Sequence, residues 1–495
     1  MATRSKQTVR GEVLHEITRS LCPECGLVID AQVLIRDQAV YLRKRCPHHG
    51  WHEALVSSDV GWHLSSLKYN KPGAIPYSFA TSVKHGCPFD CGLCPEHQQH
   101  TCIGVIDITG RCNTLCPTCF ADAGHGHDLS VSQVESILDR LIETEGQPEV
   151  VQFSGGEPTI HPQLFDMLEA ASARGIRCVM INTNGIRLAQ DTDFANQLAA
   201  YRPVVYLQFD GVTSASDEAL RGRDLRDIKR QALDNIAEAG LWAVLVATVV
   251  QGVNDGEIGD ILSYGLEHPA VLGVNYQPVA FTGRCQNSYD PLRRITLPDV
   301  LHALEAQTGG AFRMSDFIPI PCPHPSCSAT TYAFVDGKRV TPITRFLNVD
   351  DYLSFLTNRT FLDISPELQQ PLEALWSMAA AVGSDRTTGD LTCVACDINL
   401  KPSTDTRFLK EHFFVINVHG FMDRHTFDQK RLMKCCVHQL LPDGRAMPFC
   451  AYNNLGYRER ATREHEAASD REASTIDEQR IKMLTEGQTD DRCTL

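Results

Sequence analysis

Twenty cysteines in 495 residues are the feature with the most chemistry in it, and they are grouped. The tightest group is Cys112-Asn-Thr-Leu-Cys116-Pro-Thr-Cys119. Thiolates spaced three and two residues apart can wrap one face of a cubane 4Fe–4S cluster. They leave one iron without a protein ligand, open to a small molecule. Structural zinc sites use paired Cys-x2-Cys spacing and four ligands, which this run does not supply. A second run, Cys87-Pro-Phe-Asp-Cys91-Gly-Leu-Cys94, repeats the spacing, and Cys102 follows eight residues on. Four thiolates close a cluster, so Cys87, Cys91, Cys94 and Cys102 are expected to hold an auxiliary one. A third set joins Cys22-Pro-Glu-Cys25 to Cys46-Pro-His-His49. Cys-x2-Cys with Cys-x2-His suits a tetrahedral zinc or a single iron; His49 is the expected fourth ligand and His48 its alternative. The last set is dispersed. Cys322, Cys327, Cys436 and Cys450 are expected to hold a second auxiliary cluster, with Cys435 as the substitute. Cys393 and Cys396 form a lone Cys-x2-Cys that stays unassigned.

Something must position these thiols. Apolar segments rich in Val and Ile recur at residues 103–108, 150–153, 177–182, 204–209, 242–250 and 272–279. Amphipathic segments lie between them, as at 131–144, 163–174, 227–239 and 257–267. Short apolar strands alternating with helices predict a parallel α/β sheet covered on both faces. Such sheets place their sites at the C-terminal strand ends. Polar or glycine-rich groups stand at those ends: Gly155-Gly156-Glu157-Pro158, Thr183-Asn184-Gly185 and Gln208-Phe209-Asp210. Glycines let backbone approach a ligand closely, and a carboxylate at Glu157 can accept from an ammonium group.

Charge and compartment narrow the partners. Sixty-one acidic against 46 basic residues give a formal net charge of −15. No basic surplus exists to displace phosphate counterions, which argues against a duplex nucleic acid. The first residues, MATRSKQTVRGEV, lack the apolar core of a secretory signal. The longest apolar run, residues 240–250, is too short to span a bilayer. A reducing cytoplasmic setting is therefore expected, where clustered cysteines bind metal more than they pair. The expected divisions are a mononuclear metal module at 1–80, an auxiliary cluster segment at 81–102, a parallel α/β domain (open sheet or partial barrel) at 103–310, a cysteine-rich substrate module at 311–457, and a polar, partly disordered tail at 458–495.

Cys-x3-Cys-x2-Cys directly after the first strand of a βα repeat resembles the signature of the radical S-adenosylmethionine (radical SAM) enzymes. The resemblance covers residues 102–284 and implies a partial (β/α)6 TIM-type barrel. In that family the open iron binds S-adenosylmethionine, whose reductive cleavage gives a 5′-deoxyadenosyl radical. It implies catalytic Cys112, Cys116 and Cys119. It also implies cofactor contacts from Gly155, Gly156, Glu157, Pro158, Thr183, Asn184, Gln208 and Asp210. Thr118 departs from the pattern, which has an aromatic residue there, and Phe120 is the expected cover for the adenine. The order of all the cysteine groups resembles the tetraether lipid synthase group and its bacterial relatives, also described as methyltransferases of 6-hydroxymethyl-7,8-dihydropterin. That implies three 4Fe–4S clusters, S-adenosylmethionine, one zinc or mononuclear iron, and an electron donor such as flavodoxin or ferredoxin. The leading expectation is carbon–carbon joining of lipid chains, with peripheral membrane contact, along a channel walled by residues 352–362 or 412–422. The alternatives are the pterin methyltransferase and a peptide-modifying maturase.

Overall fold

The computed structural model describes residues 11–124, 126–285, 290–337, 339–345 and 413–464. Cys393, Cys396, Cys493 and residues 352–362 lie outside them.

The chain opens with an antiparallel sheet of β1 (Val13–Leu21), β2 (Val28–Arg36), β3 (Ala39–Cys46) and β4 (Gly50–Ser57), paired in that order. Asp37 and Gln38, at φ 49° and 63°, make the β2–β3 turn. Two residues with positive φ match the twist of a tight hairpin. The other two connections are the Cys22–Cys25 and Cys46–His49 loops, so the sheet itself brings them together. Helix α1 (Val60–Ser66) follows, capped by Asp59.

Strand and helix then alternate: β5 (Ile103–Thr109), α2 (Val131–Glu145), β6 (Val150–Gly155), α3 (Leu164–Ala173), β7 (Cys178–Thr183), α4 (Ile186–Gln190), α5 (Thr192–Ala199), β8 (Val204–Gln208), α6 (Ser214–Arg221), α7 (Arg226–Glu238), β9 (Trp242–Val249), α8 (Ile258–Glu267) and β10 (Val271–Pro278). Each of the six expected strands is present within two residues of its expected bounds. Among the described residues, the later strands and helices are α9 (Leu297–Gln307), β11 (Ser328–Asp336), β12 (Arg339–Pro342), β13 (Phe413–His419), α10 (Gln429–Met433), β14 (Val437–Leu440), β15 (Ala446–Pro448) and α11 (Phe449–Asn454).

All eleven later strands form one sheet, ordered β12-β11-β13-β10-β9-β8-β7-β6-β5-β14-β15. Every neighbouring pair from β13 to β14 is parallel. The late strands β13 and β14 thus extend the six-stranded barrel sheet at its two ends. One face of the sheet is apolar. Ile106, Phe153, Ile181, Leu207, Leu245 and Val274 are fully buried in the main core, with Val134, Leu138 and Leu233 from the helices. Strand β13 follows the same alternation. Phe414, Ile416 and Val418 are buried in that core, whereas Asn417 and His419 line the cavity on the other face. Of the apolar residues of 412–422, Phe414, Ile416 and Val418 pack into that core, whereas Phe421 lines the cavity. Residues 457–464, which include the start of the expected polar tail, are helical, and Arg458 reaches the cavity.

Candidate functional site

The opposite face of the sheet carries most of the polar side chains, set among Ile103, Val105, Val246 and Val437. Asp107, Gln152, Ser154, Asn182, Tyr206, Gln208, Thr248, Asn275, Gln277, Asn417 and His419 line one cavity of about 340 Å³. That volume suits a small-molecule site. Cys112, Cys116 and Cys119 lie in its wall, and no fourth cysteine does among the described residues. The Thr114 hydroxyl is 3.1 Å from Cys112 Sγ and 3.4 Å from Cys116 Sγ, so these sulfurs face a common space. Burial pushes the Cys112 thiol up. Three thiols on one cavity, with the fourth corner facing open volume, fit a cluster that holds a small molecule on its free iron.

Three elements hold the cysteine loop. Gly156 N donates to Thr109 O at 2.7 Å and Glu157 N to Arg111 O at 2.8 Å. A Cβ at Gly155 or Gly156 would collide with those same two carbonyls. The close approach these glycines permit is therefore to the cysteine loop. Asn184 Nδ2 donates to Asn113 Oδ1 at 2.7 Å. After β10, Arg284 donates from Nε to Cys116 O (2.9 Å) and from Nη1 to Ala123 O (2.7 Å). Arg284 was not singled out in the sequence, since an isolated arginine after a strand carries no motif.

Glu157 differs from its expected part. Its Oε1 accepts from Thr159 N (3.2 Å), Thr159 Oγ1 (2.6 Å) and Thr183 Oγ1 (2.6 Å), and its Oε2 from Asn184 N (2.8 Å). A carboxylate has about four acceptor positions, and its own chain supplies four donors. Glu157 clamps the ends of β6 and β7 together, with Thr183 and Asn184 as its partners and Pro158 opening the next turn. Burial pushes its carboxyl up. Asp210 is likewise engaged. Arg221 pairs with it through two bonds of 2.6 and 2.7 Å, and both side chains are buried. Burial pushes the Asp210 carboxyl up, and the guanidinium more than reverses this, leaving it below the ordinary value. Gln208 presents its amide oxygen to the same guanidinium at 2.7 Å. Arg221 also stands beside Cys116. Phe120 stacks on Phe449, with ring centroids 5.4 Å apart, and tilts against Phe421 at 5.6 Å. One face of the expected adenine cover is thus spent on joining the C-terminal module to the cysteine loop.

The other cysteines fall into sets that differ from the expected ones. Cys87, Cys91 and Cys94 line a cavity of about 10 Å³ beneath Leu432, Met433 and Pro448. It leaves no room for a further small molecule, so the two Cys-x3-Cys-x2-Cys runs are set apart by the space above them. Cys102 leaves this set. It packs with Cys322 and Cys436 in one buried group. Cys327, Cys435 and Cys450 share a second neighbourhood, where Arg431 Nη2 lies 3.5 Å from Cys327 Sγ. Cys435, the expected substitute, is the one of the adjacent pair that stands near Cys327 and Cys450, while Cys436 joins Cys102 and Cys322.

The N-terminal set is brought together as expected. Cys25 Sγ and Cys46 Sγ are 3.8 Å apart, and His49 Nδ1 is 3.6 Å from Cys22 Sγ and 3.5 Å from Cys46 Sγ. A tetrahedron with ~2.0–2.3 Å bonds has edges of roughly 3.3–3.8 Å. The four atoms stand where one ion's ligands would. His52 Nε2, 3.9 Å from Cys22 Sγ, is a neighbour that the spacing did not suggest.

The Radical SAM superfamily model matches residues 106–265. The model of the HMPTM N-terminal zinc ribbon domain matches residues 14–58. The 7,8-dihydro-6-hydroxymethylpterin dimethyltransferase of Methanocaldococcus jannaschii is 34% identical over 485 residues, covering 90% of this chain and 95% of its own. The mycofactocin maturase MftC of Mycobacterium tuberculosis is 30% identical over 171 residues, 34% of this chain and 42% of its own. A solved structure, that of Streptococcus suis SuiB bound to S-adenosylmethionine, is 18% identical with a TM-score of 0.35, over 42% of this chain and 47% of that one. Three cysteines on a parallel-sheet cavity, a ribbon ahead of them and a relative matching almost end to end lead to one assignment: the chain is a radical SAM enzyme and belongs to the family of the M. jannaschii dimethyltransferase.

Proposed function

We propose that this enzyme methylates 7,8-dihydro-6-hydroxymethylpterin or a close dihydropterin. When bound, a cluster on Cys112, Cys116 and Cys119 with S-adenosylmethionine supplies a 5′-deoxyadenosyl radical. The observation that carries the substrate reading is the row of amide side chains on the inner face of the sheet. A lipid tail would need many buried methylenes, each worth ~0.8 kcal/mol in apolar surroundings. The wall sets amides beside the rings of Phe120, Phe421 and Phe449, a mixture that suits a flat heterocycle. Asn275 donates to the Tyr206 hydroxyl, and Asn417 Nδ2 donates to Asn275 Oδ1 at 2.8 Å. Asn182 Oδ1 and Asn417 Oδ1 have no partner among the described residues. Buried acceptors of this kind are matched by donors on a bound molecule, and a pterin ring carries several. The full-length relative's name supports the same substrate. The lipid-joining expectation, and the membrane contact that went with it, give way to this reading. No helix among the described residues is long and apolar enough to cross a membrane.

In the same reading, Cys87/Cys91/Cys94 and Cys327/Cys435/Cys450 carry auxiliary clusters, Cys22/Cys25/Cys46/His49 holds zinc, and a flavodoxin or ferredoxin supplies electrons. The test is anaerobic turnover with S-adenosylmethionine, a reductant and the dihydropterin, and separately with phospholipid, read by mass spectrometry. Pterin heavier by whole methyl groups is the expected product. Lipid chains joined with loss of two hydrogens, and unchanged pterin, would overturn the proposal.

A further inference from the structure

The regrouped cysteines leave a set that no cluster assignment absorbs. Cys102, Cys322 and Cys436 are 0%, 0% and 3% exposed and pack together. His100 joins them: its Nε2 lies 3.5 Å from Cys102 Sγ. The ligand atoms of His100, Cys102 and Cys322 all lie within 4.8 Å of one another. In the ribbon the ligand atoms of Cys22, Cys25, Cys46 and His49 meet the same condition; here three atoms do, with Cys436 packed beside them. The other ring nitrogen of His100, Nδ1, is 3.0 Å from Glu145 Oε2, whose side chain is 3% exposed. The other carboxylate oxygen accepts from Thr101 N at 3.0 Å. A carboxylate on Nδ1 fixes the tautomer in which Nε2 carries the lone pair, the usual support behind a metal-bound histidine.

We propose that His100, Cys102 and Cys322 hold one divalent ion, zinc or ferrous iron, and that Cys436, packed against Cys102 and Cys322, turns in to close the tetrahedron when the ion binds. Three sulfurs and one imidazole suit either metal. Four protein ligands leave no position for substrate, so the ion is structural. Its place says what it holds. Cys102 precedes β5 and Cys436 precedes β14, the strand paired with β5. Cys322 lies in the segment before β11, near the far end of the sheet. One ion would bolt the two ends of the sheet to each other.

Cubane clusters hold iron and acid-labile sulfide in equal numbers. Iron plus zinc minus sulfide therefore counts single ions in anaerobically purified protein. In the Cys22→Ser/Cys25→Ser variant, with the ribbon emptied, the expected excess is about one per chain. Adding His100→Ala should take it to about zero with sulfide unchanged. An excess near zero before His100 is touched overturns the proposal. So does a Cys102→Ser variant that loses about four iron and four sulfide, since that is a cubane. If the ribbon variant does not fold, the native chain decides: about two single ions support the site and about one overturns it.

Discussion

Glu157 has four donors on its carboxylate and lies inside a protein that must still bind a cofactor nearby. Its substitution separates a clamp from a ligand. In Glu157→Gln, an NH2 group replaces one oxygen among donors. If it lands at the Oε2 position, it faces the Asn184 N–H. Leaving buried donors unmatched costs ~1–3 kcal/mol each. The expected outcome is a joint fall in thermal stability and in S-adenosylmethionine affinity, because the cysteine loop shifts with the clamp. Unchanged stability with lost affinity would mean that Glu157 holds the cofactor directly. Asn417 offers the complementary experiment. Its amide faces the cavity, and its neighbours Ile416 and Val418 are buried in the core. Asn417→Leu keeps the strand's packing and deletes the amide. The Michaelis constant for the dihydropterin should rise about three- to tenfold, as the loss of one neutral hydrogen bond implies. Deoxyadenosine formation without pterin should stay as it was. A variant that gains activity on a lipid tail would argue against the polar reading.

At the scale of elements, the ribbon and the loop ahead of α10 are one unit. Lys44, 2% exposed, donates to Ser20 Oγ at 2.9 Å and to the carbonyls of Arg424 and His425 at 2.6 and 2.9 Å. Thr18 Oγ1 donates to Asp428 Oδ1 at 2.6 Å. A structural ion contributes folding free energy to the element it closes. Cys25→Ala should therefore raise hydrogen exchange across β1–β4 and across residues 424–428, with β6–β9 still protected. Deoxyadenosine formed per folded molecule should hold; a stable variant that has lost it would contradict a structural role. The elements also show what could be read in advance. Each barrel strand is a local run of Val and Ile, so its bounds are written in the sequence around it. The ribbon ligands sit on two tight loops of one small sheet, and spacing alone identifies them. The partition of Cys102, Cys322, Cys327, Cys435, Cys436 and Cys450 depends on which strands pair across hundreds of residues, and no local pattern carries that. The intramolecular partners of Glu157 and Asp210 were hidden for a related reason. A carboxylate beside a site looks free until its donors, Thr183 and Arg221, are brought in by other strands.

Across the whole molecule, the C-terminal module is fastened to the barrel by buried charge. Asp423 is 0% exposed, and Arg294 Nη2 lies 2.7 Å from its carboxylate. Phe281 N donates to the same oxygen at 3.0 Å. Burial pushes the Asp423 carboxyl up, but the guanidinium and the backbone donor hold it well below the ordinary carboxylate range. The unfolded chain therefore takes up the proton first. This pair's stabilisation is present above the ordinary aspartate value of about 4 and is lost as pH falls below it. Thermal unfolding followed from pH 7 to 3 should show that loss, with a shallower slope in Asp423→Asn. That variant should already be ~3–5 kcal/mol less stable at neutral pH, because Arg294 is left as an unpaired buried cation. A variant as stable as the native chain would mean that the pair is incidental. The order of the strands has a further consequence, for the protein while it is being made. β10 ends at Pro278 and β14 at Leu440, yet β13 and β14 cover the two edges of the six-stranded sheet. At ~5–20 residues per second, a ribosome needs roughly 8–32 s to add that stretch. Throughout it the nascent sheet carries two unpaired parallel edges, which are templates for misassociation. Chaperone dependence should therefore be concentrated in this interval. Ribosome-bound chains arrested after β10 should be held by chaperones, and chains arrested once β14 has cleared the exit tunnel should be released.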